Sequence, residues 1–273
     1  MRIRDIAPEK PAIMGVLNIT SDSFYDGGKY LNFKHALSRA RQIISEGAHI
    51  LDIGGESTRP GASPVAVEIE KKRVIPLIKE LANKNGFKIS CDTSKPAVAE
   101  AALEAGAVMI NDVRGMRDSE MMEIAAKRNA AVCIMHMKGN PGNMQKNPSY
   151  SHVLHEIKDF LFKRVDDCIQ KGIPRENIIL DPGIGFGKTL EHNLKIISNI
   201  KKISGDFPVL AGVSRKSFIG AVLNKPVEER LAGSLAAACY LTFRGADMLR
   251  VHDIKETADA VKIIKALKEK ENE

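Results

Sequence analysis

A closed (β/α)8 barrel, the TIM fold of the α/β class, is predicted by three observations. Eight short apolar runs recur along the 273 residues, amphipathic segments of helical period separate them, and no glycine-rich turn follows the first run. The third point weighs against an open doubly wound sheet, which ordinarily carries a G-x-G-x-x-G turn there; NITSDSFYDGG is not one. In chain order the runs are AIMGVLN, HILDIGG, KISCD, VMIND, AVCIMH, IILDPG, PVLAG and DMLRVHD. FKHALSRARQII, AVEIEKKRVIPLIKEL, VLHEIKDFLFKRVDDCI and TADAVKIIKALK carry the 3.6-residue repeat between and after them. One barrel domain over residues 1–273 accounts for the whole chain.

Composition narrows the function classes. The chain is 44% hydrophobic and 27% charged, which is ordinary globular material. Cys91, Cys133, Cys168 and Cys239 are far apart and form no C-x-x-C pair, so neither a zinc site nor a disulfide framework is expected. The net charge of +7 suits anionic ligands, but basic residues alternate with acidic ones and nucleic-acid binding is not expected. No run of 18 apolar residues exists, and the N-terminal apolar run follows acidic residues and proline rather than a basic n-region. A cytoplasmic protein off the membrane is the expectation.

In a barrel of this kind the ligand site sits at the C-terminal ends of the strands. Those ends carry Asn18, Glu56 with Thr58 and Arg59, Asp92, Asn111, His136, Asp181, the Ser214–Ser217 loop, and Arg250 with His252. At one strand such a residue is a turn former; at eight together a converging polar pocket is the better account. Asp92, Asn111 and Asp181 form an acceptor-rich set suited to a heterocycle edge rich in N–H donors, with a hard metal as the alternative. Alternation in DMLRVHD puts Arg250 and His252 on one face, where they suit a phosphate; an internal ion pair between Arg250 and a carboxylate is the competing reading.

DPGIGFGKT at 181–189 has the Gly-Lys-Thr end of a phosphate-binding P-loop, yet Pro182 stands where the first glycine belongs and has no N–H to offer. It reads instead as a strand end, a turn and a close-lying loop, with Lys188 facing solvent before the next helix. GVSRKSFIG places Ser214 as the N-cap of a helix with Arg215 and Lys216 in its first turn. Cations there oppose the helix dipole, so one of them is expected to hold a ligand. The glycine-bearing loops after strands one and two, NITSDSFYDGGKY and GGESTRPGASPV, are long enough to be lids.

MGVLNITSDSFYDGG, LDIGGESTRPGA, DTSKP, INDVRG, DPGIGFGKTLEHN, GVSRKSFIG and RVHDIKET, in that order from about residue 14 to residue 257, resemble the dihydropteroate synthase family closely. The resemblance implies a folate-pathway transferase that joins para-aminobenzoate to 6-hydroxymethyl-7,8-dihydropterin diphosphate and releases pyrophosphate. It implies that Asp92, Asn111, Met135, Asp181, Gly212, Lys216 and Arg250 form the pterin pocket, with Asp92, Lys216 and Arg250 central to catalysis. It further implies that Asn18, Thr58, Arg59, Arg250 and His252 bind the diphosphate, with Asn18 a ligand of its Mg²⁺. Phe24, Phe186, Gly212 and Ser217 fall on the aminobenzoate side, and a homodimer is implied. Two positions depart from the pattern: Ser21 stands where proline is usual and Tyr25 where serine is usual. A methyltetrahydrofolate:corrinoid methyltransferase and a non-catalytic pterin binder are the rival readings. The SRKS and TSDSF loops weigh against the first, and the diphosphate-binding positions weigh against the second.

Overall fold

The computed structural model describes residues 1–19, 29–57, 62–85, 87–140 and 142–271. Eight parallel strands alternate with helices: β1 Ala12–Asn18, β2 Ile50–Gly54, β3 Lys88–Asp92, β4 Met109–Asp112, β5 Ala131–Met135, β6 Ile178–Asp181, β7 Leu210–Gly212 and β8 Met248–Val251. The helices are α1 Ile3–Ile6, α2 Lys29–Ser45, α3 Val67–Asn85, α4 Pro96–Glu104, α5 Ser119–Lys127, α6 Val153–Gln170, α7 Leu190–Ser198, α8 Ile200–Ser204, α9 Ser217–Leu223, α10 Leu231–Phe243 and α11 Ile254–Glu271. The sheet runs β6-β5-β4-β3-β2-β1-β8-β7, and a parallel bridge between Leu180 and Val209 joins β6 to β7 and closes the ring. The predicted barrel is the observed architecture.

Local chemistry sets several helix starts. Pro96 opens α4, where its missing N–H costs nothing. The Asp118 carboxylate accepts from the Glu120 N–H to start α5, and Thr189 and His192 form a reciprocal cap on α7.

Strand alternation divides the side chains into two sets. Ile13, Leu51, Ile53, Ile89, Ile110, Val132, Ile134, Leu180 and Leu249 point outward and pack with the helices in one large core. Ala12, Met14, Ile50, Met109, Ala131, Cys133, Ile179, Leu210 and Met248 point inward and fill the lower barrel, with Ile3 and Ile6 of α1 in the same cluster. Moving along each strand by two residues keeps the inward face and changes its chemistry. Met14 stands level with Ile50 while Val16 stands level with Asp52, and Asp52 is in turn level with Ser90. Asp92 then pairs with Asn111 at the strand ends. The apolar plug thus gives way to a buried polar layer facing the mouth.

Candidate active site at the barrel mouth

Arg250 is the hub of that layer. Its Nε donates to Asp52 Oδ2 at 2.7 Å and its Nη2 to Asp92 Oδ2 at 2.7 Å. Asp52 Oδ2 also accepts from Asn111 Nδ2 at 3.0 Å. Asp52, Asp92 and Asn111 are buried, while Arg250 is partly exposed toward the mouth. Burial works against the guanidinium charge, but Asp52 and Asp92 outweigh it and push Arg250 up. Burial also pushes the Asp92 carboxyl up to about 7; Arg250 pulls it back, and Asp52, Asp112 and Glu70 repel its charge. Arg250 thus makes the internal ion pair, with two carboxylates rather than one. His252 is exposed two residues on, its N–H and Nδ1 lying 3.3 and 3.2 Å from Ser214 Oγ.

Asp181 and Lys216 face each other from the other side. Burial raises Asp181 while Lys216 opposes that rise, and the Gly183 N–H donates to Asp181 Oδ1 at 2.7 Å. Burial lowers Lys216 to about 8, against the pull of Asp181. The Lys216 ammonium donates to the Ile184 carbonyl and lies 4.6 Å from the centre of the Phe186 ring. Asp181 and Lys216 meet because residues 183–187 fold tightly over β5. Gly183 has φ +66, and a Cβ there would sit 1.9 Å from the His136 carbonyl oxygen.

Two readings of this region need correction. Lys188 does not face solvent; it is 3% exposed. Its Nζ lies 3.0 Å from His136 Nδ1, 3.3 Å from the His136 carbonyl and 2.9 Å from the Phe186 carbonyl. Three acceptors match the three ammonium donors, which is how so polar a group is buried. Burial still drives Lys188 well down, and burial with the neighbouring Lys188 takes His136 to about 2. Ser214 likewise does not cap α9, which begins at Ser217 with Lys216 in the cap position. Arg215 adopts φ 55 and leaves the mouth to form a two-point ion pair with Asp253, at 2.9 and 2.8 Å. Of the two adjacent cations, Lys216 alone turns to the pocket.

The remaining predicted positions gather around this centre. Asn18 ends β1, and a Cβ on the facing Gly54 would come within 3.1 Å of Asn18 Oδ1 and 3.4 Å of Asp92 Cβ. Met135 ends β5 in a buried patch with Val113, Met137 and Met144, against which Phe186 packs. Gly212 ends β7, with Lys216 Nζ 3.6 Å from where its Cβ would be. Ser217 is exposed at the start of α9. Phe24, Thr58 and Arg59 lie outside the described residues, as do Ser21 and Tyr25.

A family model described as pterin binding enzyme matches residues 14–252. The dihydropteroate synthase of Escherichia coli K12 is 45% identical over 264 residues, 96% of this chain and 94% of that protein. The chain belongs to the dihydropteroate synthase family. Crystal structures carry the same fold. The Yersinia pestis dihydropteroate synthase with a sulfonamide drug complex superposes with a TM-score of 0.90 at 42% identity, over 95% of each chain. The Burkholderia cenocepacia dihydropteroate synthase complexed with 7,8-dihydropteroate does so at 0.88 and 42%, over 97% of this chain and 94% of that one.

The dihydropteroate synthase frame also frames what the sequence reading passed over. Asp52, in the middle of LDIGG, has no loop position to flag it, yet it holds both Asn111 and Arg250. Inward parity with Asp92 across the β2–β3 ladder was the available signal. Under the second loop, Lys95 bonds Glu56 at 2.7 Å and also the buried Glu70, while Glu56 accepts from the Val65 N–H at 2.6 Å. Glu56 thereby joins Val65 to Lys95 at the start of α4.

The residues fit Mg²⁺ in one manner. Among the described residues no group of three or more His, Cys, Asp or Glu could hold a metal ion. A single amide oxygen from Asn18 is too little for a resident hard cation, but it suits one that arrives on phosphate oxygens and keeps several waters.

Proposed function

We propose that this protein condenses 6-hydroxymethyl-7,8-dihydropterin diphosphate with para-aminobenzoate, giving 7,8-dihydropteroate and pyrophosphate. The observation that carries this reading is the acceptor layer of Asp92, Asn111 and Asp181 joined to Lys216 and Arg250. It sits in a chain 45% identical to a dihydropteroate synthase across almost its full length.

Asp92, Asn111 and Asp181 offer oxygens to the N–H donors of the pterin edge, and Lys216 offers its ammonium to an acceptor on the same ring. Arg250 stacks on the ring face and reaches the diphosphate. Asn18, Thr58, Arg59 and His252 hold the leaving group, and Mg²⁺ bound with it would neutralise part of its charge. The bond between the pterin methylene carbon and the diphosphate oxygen breaks, and positive charge spreads into the dihydropterin, which the Asp92 carboxylate stabilises. The aminobenzoate nitrogen then forms the new bond to that carbon and gives up a proton. Phe24, Phe186, Gly212 and Ser217 hold the aminobenzoate ring. No covalent nucleophile on the protein takes part.

Purified protein with Mg²⁺ and the pterin diphosphate should release pyrophosphate only when para-aminobenzoate is added, and dihydropteroate should accumulate one for one. No release alongside tight calorimetric pterin binding would instead support a binding protein or a corrinoid-dependent methyltransferase.

We place the protein in the cytoplasm as a homodimer. No helix among the described residues is long and apolar enough to cross a membrane. Tyr240 and Phe243 on α10 and Ile263 and Leu267 on the adjoining α11 are 42%, 50%, 63% and 59% exposed, an apolar face that a second copy would cover. Sedimentation at the monomer mass would refute the dimer.

A further inference from the structure

We propose that Asp52 is the positioning residue of the pterin pocket: it turns the Asn111 amide so that only its oxygen is offered to the ligand, and it anchors Arg250 beside it. The inference rests on the proposed synthase reading for the identity of the ligand, and on the following geometry for everything else.

Asp52 is wholly buried in the wall of β2, level with Val16 on β1 and Ser90 on β3. It touches no bulk water and does not lie at the strand end where ligand-binding residues gather. Among the described residues its Oδ1 has no hydrogen-bond partner, so its polar contacts run through Oδ2 to Asn111 Nδ2 and Arg250 Nε. A carboxylate has acceptors alone. Facing one, the Asn111 amide must present its NH₂, and its Oδ1 is left as the group for a ligand. The pocket edge then reads as oxygen at Asp92, oxygen at Asn111 and oxygen at Asp181, an uninterrupted acceptor row. An apolar residue at position 52 removes that constraint; asparagine would not, because Arg250 Nε would still fix an oxygen opposite the Asn111 amide. Arg250 is held at two points, Nε by Asp52 and Nη2 by Asp92, which fixes the plane of its guanidinium across the mouth. If Asp92 bends toward a ligand, Asp52 still holds the Nε end. Asp52 thus acts on the ligand through two other side chains and selects a ring that presents N–H donors.

The test is a double-mutant cycle read in ligand affinity. Binding of 6-hydroxymethyl-7,8-dihydropterin diphosphate would be titrated calorimetrically to the wild type, Asp52→Ala, Asn111→Ala and the double variant. Each single change should weaken binding about tenfold or more. The double variant should be little weaker than the worse single one, because without Asp52 the oriented amide is already lost. Asp52→Ala combined with Met135→Ala is the control: Met135 packs with Val113, Met137 and Met144 and takes no part in the Asp52, Asn111 and Arg250 hydrogen bonds, so there the two losses should multiply. A purely structural effect of Asp52 would multiply in both cycles, and that result overturns the proposal. Should Asp52→Ala fail to fold, side-chain amide exchange in the wild type decides instead. The Asn111 NH₂ protons should exchange slowly in both the free and the pterin-bound protein, and rapid exchange in the free protein overturns the proposal. A wild type that binds no pterin at all overturns the synthase reading, whereas the exchange measurement still judges the Asp52 contact.

Discussion

Replacing Asp92 with asparagine should flatten the pH dependence of stability by about 4 kcal/mol between pH 4 and pH 8. Asp92 is 5% exposed, and burial is the largest influence lifting its carboxyl from 3.8 to about 7, with Arg250 opposing. Each pH unit between 3.8 and 7 is worth about 1.4 kcal/mol. Between those two values the unfolded chain has released its proton while the folded chain still holds it. The folded state is therefore favoured at the acid end of the window and loses that advantage as pH rises toward 7. An asparagine does not titrate. Urea unfolding at half-unit intervals would give the stability of both proteins, and the wild-type value minus the variant value should fall by about 4 kcal/mol from pH 4 to pH 8. Asp181, which burial also raises, is present in both proteins and cancels in the difference. The ion pair lost with Arg250 adds an offset, so the slope is the readout. A difference that stays flat across the range would show that Arg250 holds Asp92 at its ordinary value and would refute the burial argument.

Lys216, lowered to about 8 by burial and by Arg250, is a cation below that pH and neutral above it, so kcat/KM should fall about tenfold per unit beyond pH 8. Lys216→Arg should move that limb out of range if it folds and turns over, while Lys216→Ala should abolish turnover at every pH with the far-ultraviolet spectrum unchanged. Lys188→Met leaves three acceptors without a donor; we expect a loss of about 2 kcal/mol in urea and a raised KM for para-aminobenzoate as the Phe186 carbonyl loses its anchor. Arg250→Ala should weaken both pterin and diphosphate in separate titrations, and unchanged affinity for both would count against its dual role. Gly183→Ala puts a Cβ 1.9 Å from a backbone oxygen at φ +66, so it should cost more than about 4 kcal/mol or yield no folded protein.

Much of the site could be read from the chain because barrel topology converts sequence order into spatial order. Each apolar run ends at the same rim, so Asn18, Asp92, Asn111, Asp181 and Arg250 had to converge once eight strands were counted. Two-residue alternation settles which of them face inward. Lys188 shows where that logic stops. A lysine just before a helix reads as a surface residue on composition, and nothing local to GFGKT reveals that two carbonyls and an imidazole, from the residue that follows β5 and from its own loop, await it. Arg215 and Lys216 are adjacent and alike in charge, yet Asp253, 38 residues on, draws one of them away from the pocket.

The sequence by itself determined the barrel, the rim and the chemistry gathered there, since these follow from short-range periodicity and from residue types at strand ends. The tertiary structure alone decided the partners: Asp52 with Arg250 and Asn111, Lys188 with His136, Lys95 with Glu56 and Glu70. Those pairings join residues from 25 to 198 positions apart. Their existence depends on which buried donor lacks an acceptor once every strand is in register, a condition that no stretch of sequence states locally.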